Sequence, residues 1–275
     1  MALNNQQLAK IDQFKNVINS QTIRAQVRNS LKEHAGAFLS GMIDLYSGDN
    51  TLMNCDPEKV ALECVKAAAL GLPISKALGF AYVVPYKNVP TFTIGYKGLI
   101  QLAQRTGQYQ RLNADVVYEG ELISRDKMTG WIDMSGEATS QTVVGYFAYF
   151  KLINGFEKIF FMTKEKVEEW RDKYSPSANA SFSPWKSEFD KMALKTVLKR
   201  LISVYGPMST EMADVIAAEE NHEDKVNRNI DANANIIEID GAELTAAQPD
   251  QAQQLPEGTP PATQPQAEII PPAGF

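Results

Sequence analysis

The stretch Thr142-Val-Val-Gly-Tyr-Phe-Ala-Tyr-Phe-Lys-Leu-Ile153-Asn154-Gly155-Phe156-Glu-Lys-Ile-Phe-Phe-Met162 decides the fold. Residues 142–153 are apolar at both parities, the pattern of a strand buried on both faces. Asn154-Gly155 then supplies the two residues that most readily adopt positive φ in a tight hairpin turn. Residues 156–162 therefore return as a neighbouring antiparallel strand.

Helix signals follow this hairpin downstream. Thr163 is an N-cap for a helix with Val167, Trp170 and Tyr174 facing inward. Ser183-Pro184 is a cap and first-position proline, opening a helix that runs to Tyr205 and stops at Gly206-Pro207. Upstream, Leu112–Tyr118 is a strand, and Gly98–Arg105 is a short helix closed by Gly107. Residues 81–86 and 91–94 alternate with period two around Lys87-Asn88-Val89, a hairpin that Pro85 and Pro90 place at a sheet edge or outside the sheet. Asp56-Pro57-Glu58 opens a helix that Gly71 and Pro73 close, with Cys64 on its apolar face. Residues 5–47 are helical, with Leu8, Ile11, Phe14, Val17 and Ile18 at helical spacing. The class is α+β: an antiparallel β-meander and hairpin core with packed helices, a helical N-terminus and a disordered acidic C-terminal tail.

Charge divides the chain unevenly. Residues 216–275 hold eleven acids against Lys225 and Arg228, and seven of the fourteen prolines. With few bulky apolar residues and one dominant sign of charge, such a segment cannot offset its ordering entropy. The expected organisation is thus 1–47 as N-terminal helices making oligomer contacts, 48–215 as the core and 216–275 as tail. Residues 1–215 carry 25 bases against 22 acids, a positive balance hidden by the overall −6.

Several chemistries are excluded. No glycine precedes a lysine and no two glycines are separated by one residue, so neither a Walker phosphate loop nor a dinucleotide fingerprint is present. Two cysteines and two distant histidines, His34 and His222, build neither a zinc cage nor a histidine triad. No catalytic residue, metal or cofactor is expected. The longest uncharged run is thirteen residues, 138–150, too short for a membrane span, and the N-terminus lacks a secretory pattern, so a cytoplasmic location is expected. An alternative is a metal-dependent nuclease using Asp115, Glu119, Asp126 and Asp133. Another is a structural oligomer of a virion.

What remains is a distinctive basic region. The fifty-one residues between Glu63 and Asp115 contain no acid, but hold Lys66, Lys76, Lys87, Lys97, Arg105 and Arg111. Tyr82, Tyr86, Phe92, Tyr96 and Tyr109 are interleaved with them. Cations for phosphates beside flat aromatic faces suit a binder of single-stranded nucleic acid. A second basic element lies after Pro184, where Lys191, Lys195 and Lys199 at i, i+4 and i+8 form one stripe beside Arg200.

Gly95-Tyr-Lys-Gly-Leu-Ile-Gln-Leu-Ala-Gln-Arg-Thr-Gly107 resembles the central signature of the RecT family of phage recombinases. Ser183-Pro184-Trp185 followed by Met192-Ala-Leu-Lys-Thr-Val-Leu-Lys-Arg200 resembles the family's second signature, and the order and spacing agree over roughly residues 30–210. Leu70-Gly71-Leu72-Pro73 and the acid-poor hairpin match as well. The resemblance implies a β-β-β-α annealing core and ATP-independent annealing of complementary single-stranded DNA to a duplex. It implies a homo-oligomeric ring or helical filament working with a phage exonuclease, and composition permits a host single-strand-binding protein as a further partner. It implies DNA contacts at Lys97, Arg105, Lys195, Lys199 and Arg200, with Tyr96 beside the backbone or a base. Lys87 and Arg111 transfer less directly, and Lys191 enters through the stripe.

The acidic tail adds an expectation of its own. A flexible negative segment tethered to a positive core competes with DNA at high effective concentration. Truncation at residue 215 should tighten DNA binding at low ionic strength, with a difference that shrinks as salt screens it. A fluorescence-anisotropy titration of both chains across salt concentrations checks this, and equal affinities at low salt would leave the tail without that role.

Overall fold

A computed structural model describes residues 4–219 apart from 87, 176, 177 and 182. Its sheet is three-stranded and antiparallel, in the order β3 (Tyr109–Tyr118), β6 (Val143–Leu152), β7 (Glu157–Thr163). The central strand is β6, as its apolar run requires. Its register sets Ala148 opposite both Ala114 and Phe160. Tyr146, Ala148, Phe150 and Leu152 are buried on the face covered by helix α8 (Phe189–Tyr205), while Phe147, Tyr149 and Lys151 on the opposite face are half-buried.

Between β3 and β6 the chain makes an excursion that sequence periodicity did not reveal. Residues 119–142 form an extended arm with a short ladder between β4 (Ser124–Arg125) and β5 (Ile132–Asp133). Backbone bonds such as Thr139 N–H to Glu119 O and Ile123 N–H to Asp133 O close it from root to tip. Ile132 within the arm and Val117 beside its root are buried apart from the main core. Met128 and Trp131 near the tip are exposed.

The second β unit is the hairpin β1 (Ala81–Tyr86) and β2 (Val89–Ile94), a separate two-stranded sheet. Its turn is tighter than the sequence suggested, because Val89 pairs with Tyr86 and Asn88 takes φ +63°, a value asparagine tolerates. An isolated two-stranded hairpin is marginal in water. This one buries Ala81, Val83, Phe92 and Ile94 on the side where α4 (Pro57–Ala69) packs. Cys64, on α4, lies wholly inside, and burial pushes its thiol pKa far up, the behaviour of a core residue.

The N-terminal helices are α1 (Asn5–Ile18), α2 (Gln21–Leu31) and α3 (Ala35–Ser47), and they pack on one another and on α4. Of the apolar residues at helical spacing in this segment, from which oligomer contacts were expected, Ile11, Phe14 and Ile18 are covered within the chain, with Phe14 stacked on Tyr46 at 4.2 Å. Two further corrections concern the C-terminal third. The helix predicted from Pro184 to Tyr205 breaks at Glu188 (φ −141°, ψ 50°) into α7 (Pro184–Ser187) and α8. The break lets Trp185 donate to Ser175 Oγ at 3.0 Å while Asp190 accepts from Tyr146 Oη at 2.5 Å. Residues 210–219 form a helix, α9, so ordered structure passes the predicted boundary at 216. Met212 and Ile216 belong to the core, and a chain cut at 215 would lose Ile216 from it. The disorder expected of the tail lies, from residue 220 onward, outside the described residues.

Helix α5 (Tyr96–Arg105) is seated by close backbone approach. Gly95 N–H donates to Phe80 O at 2.8 Å, and a Cβ on Gly98 would overlap that same carbonyl oxygen. At the other end, Arg105 Nη1 donates to Leu70 O at 2.6 Å and Nη2 to Gly71 O at 2.9 Å. The guanidinium thereby caps carbonyls left unpaired at the end of α4.

These contacts set a graded expectation. Gly98→Ala should lower stability by about 1–3 kcal/mol through the overlap with Phe80. Gly41→Ala, inside α3 with open space around it, should raise stability by about 0.5–1 kcal/mol. Arg105→Ala should cost about 1–3 kcal/mol through unpaired carbonyls. Denaturant melts of the three variants check the order.

Candidate nucleic-acid interface

The acid-free segment builds the hairpin, α5 and the start of β3, so its cations and aromatics emerge from one continuous piece of chain. On the hairpin, residues facing α4 are buried, while Tyr82, Val84, Thr91 and Thr93 are half-buried and Tyr86 is exposed. Lys97 is exposed at the N-terminus of α5, and its aliphatic stem and the Tyr82 hydroxyl both flank Gly79. Tyr96 is half-buried; desolvation, with the Asp115 carboxylate adding to it, pushes its hydroxyl pKa up, so it stays a neutral donor. Arg111 is exposed on β3. It lies across from Lys151 in the register and near Tyr149, whose hydroxyl donates to Glu157 at 2.7 Å.

The other expected contacts are placed differently. Arg105 faces the end of α4, as described above. The α8 stripe runs from solvent into the protein: Lys191 is 76% exposed and pairs with Glu188, Lys195 is half-buried, and Lys199 is 12% exposed and paired with Glu219 at 2.7 Å. Arg200 lies over the Trp170 ring at 4.2 Å and the Phe160 ring at 5.5 Å, and its buried Nε has no hydrogen-bond partner among the described residues. Lys87 lies outside the described residues. Lys97, Tyr96 and Arg111 are thus gathered on the acid-free segment, whereas Lys199, Arg200 and Arg105 are each held against a specific internal partner.

Two carboxylates that sequence reasoning did not single out border this region. Glu63 Oε2 accepts from Phe92 N–H at 2.7 Å, and Glu219 Oε1 accepts from Ile94 N–H at 2.6 Å. Each is also paired with a lysine, Glu63 with Lys66 and Glu219 with Lys199. A signal for Glu219 was present: Met212, Val215, Ile216 and Glu219 fall at helical spacing, and the acidic composition around them masked it. Trp131 was likewise not singled out.

The carboxylates of the nuclease alternative have local structural work. Asp126 accepts from Met128 N–H and from the Thr129 hydroxyl, which holds its carboxyl below the usual range. Asp133 accepts from Ser135 N–H, and Glu119 accepts from the Ser140 hydroxyl. Among the described residues no three His, Cys, Asp or Glu side chains gather as a metal site, and no helix is long and apolar enough to cross a membrane.

Comparison with known proteins gives consistent matches. An uncharacterised protein of Bacillus subtilis strain 168, YqaK, is 38% identical over 225 residues, covering 82% of this chain and 78% of that protein. Protein RecT of Escherichia coli K12 is 31% identical over 221 residues, covering 74% of this chain and 78% of that protein. The RecT family model matches residues 36–232, which include both signature blocks, the hairpin, the three-stranded sheet and α8. By these matches the chain belongs to the RecT family, a family of recombination and strand-annealing proteins.

Proposed function

We propose that this chain binds single-stranded DNA along the acid-free segment and anneals it to a complementary strand without nucleotide hydrolysis. The observation that carries the reading is the exposed side of the β1–β2 hairpin and α5. Tyr82, Tyr86, Thr91, Thr93 and Lys97 share a segment without one acid between 64 and 114. In this reading Lys97 and Arg111 meet phosphates, Lys191 and Lys195 extend the positive surface along α8, and Tyr96 packs beside the strand. Arg105 and Arg200 act as positioning residues, Arg105 by fixing α5 to the end of α4 and Arg200 by bracing α8 against Trp170.

The chemistry asked of the protein is modest. Base pairing supplies the free energy of annealing, so no covalent step is needed. The protein holds a strand extended, screens phosphate repulsion and leaves base edges open for pairing. Contacts to backbone rather than base edges follow from that task. One subunit can track only a few nucleotides, so a ring or helical filament of head-to-tail copies is part of the proposal. So are a cytoplasmic site of action, a non-enzymatic role, and partnership with a strand-degrading exonuclease or a host single-strand-binding protein.

Two measurements test this. Labelled single-stranded oligonucleotide should be shifted and not degraded, with or without magnesium and without ATP; loss of substrate with magnesium would indicate a nuclease, and no shift a structural protein. Affinity should also fall with salt, and Lys97→Ala and Arg111→Ala should each flatten the slope of log affinity against log salt by about 0.7. Sequence preference should stay unchanged. A slope unaltered in the Lys97→Ala, Arg111→Ala double variant removes both residues from the DNA surface.

A further inference from the structure

We infer that the Lys199 ammonium and the Ile94 N–H form a binding site for a DNA phosphate, and that Glu219 occupies it as an internal substitute. The inference rests on the DNA-binding reading above and extends it to a site closed by the chain itself.

The geometry is that of an anion site already filled. One carboxylate oxygen of Glu219 accepts from Ile94 N–H at 2.6 Å, and the other meets Lys199 Nζ at 2.7 Å. A phosphodiester also offers two anionic oxygens to a pair of donors, so the same cradle suits it. The donors come from elements that the sequence marks as basic: Lys199 from the α8 stripe, and Ile94 from the residue before Gly95, the N-cap of α5. The helix N-terminus there adds positive potential.

Pairing the Ile94 N–H requires an acceptor, but not a charge buried against Lys199. A buried ion pair returns little net stability over apolar packing, because desolvation offsets the attraction. The placement of Glu219 also suits release. It lies on the last described turn of α9, which is anchored by Met212 and Ile216. Beside it a cleft of about 150 Å³ opens between Glu63, Lys66, Pro90, Phe92, Val215 and Glu219. Beyond it the chain carries ten acids and two bases to residue 275, so the competing anion is the first of a series. Undocking α9 would uncover Lys199 and Ile94 N–H together, extending the DNA surface from α5 onto α8.

The test uses the full chain and a labelled oligo-dT. Glu219→Gln keeps an acceptor for Ile94 N–H but removes the charge. The expected result is severalfold tighter binding at low salt and a slope steeper by about 0.7. Adding Lys199→Gln in that background should erase both changes. Hydrogen exchange of the unaltered chain provides a reading independent of any variant: on adding oligo-dT, amides of residues 210–219 should lose protection while those of β2 gain it. An unchanged slope in Glu219→Gln, a gain that survives Lys199→Gln, or greater protection of 210–219 on DNA would each overturn the site and leave Glu219 as an edge cap. If the unaltered chain binds oligo-dT, DNA binding itself stands in all those cases; if neither it nor Glu219→Gln binds, both readings fall.

Discussion

An edge strand carries backbone N–H groups that no neighbouring strand will pair, and leaving them buried and unpaired costs about as much as a lost hydrogen bond each. In the β1–β2 hairpin that requirement falls on Phe92 and Ile94, and two glutamates from outside the segment meet it. Glu63 comes from α4, the helix beneath the hairpin, and Glu219 from α9, a hundred and twenty-five residues away from Ile94 in sequence. Each carboxylate brings its lysine, so one edge of one strand ties together α4, the hairpin, α8 and α9. A segment with no acid of its own thus depends on borrowed acids for its seat.

The same logic explains why a correct reading of α8 periodicity did not decide what its lysines do. Spacing at i, i+4 and i+8 fixes which face of a helix residues share, but not what lies over that face at each height. At Lys191 it is solvent and Glu188; at Lys199 it is Glu219 on a helix hidden by acidic composition. Arg200, one residue on, turns toward Trp170 and Phe160 and exchanges water for ring faces. Three neighbouring cations of like sequence character therefore sit in three different environments.

Much of the fold was legible because its cues are local. The two-faced apolar run, Asn154-Gly155, the caps at Asp56 and Thr163, and the stop at Gly206 each specify a backbone conformation within a few residues. Gly95 and Gly98 were visible as a motif, but their cause was not: it is the approach of residues 79–80, which only the folded chain supplies. The arm at 119–142 escaped notice because its alternation is weak and its ladder short, and the break at Glu188 because neither glycine nor proline marks it. For the candidate site, the aromatic and basic inventory was readable, whereas the partners of Arg105 and Lys199 were long-range and so were not.

If the proposed surface holds DNA, these partners bear on how tightly it does so. Residues 1–215 carry only three more bases than acids, so attraction to a polyanion depends on where charge is placed rather than on its total. Glu63 and Glu219 lower the potential along one side of the hairpin while Lys97 remains exposed at its base. An annealing protein gains from that balance, since a strand held too firmly cannot shift register to find its complement. Weak contact per subunit, summed over neighbouring copies, would in the proposed reading retain a long strand while letting any one stretch of it dissociate and pair. In the proposed reading, the borrowed carboxylates that complete the hairpin edge are therefore also what keeps each single grip reversible.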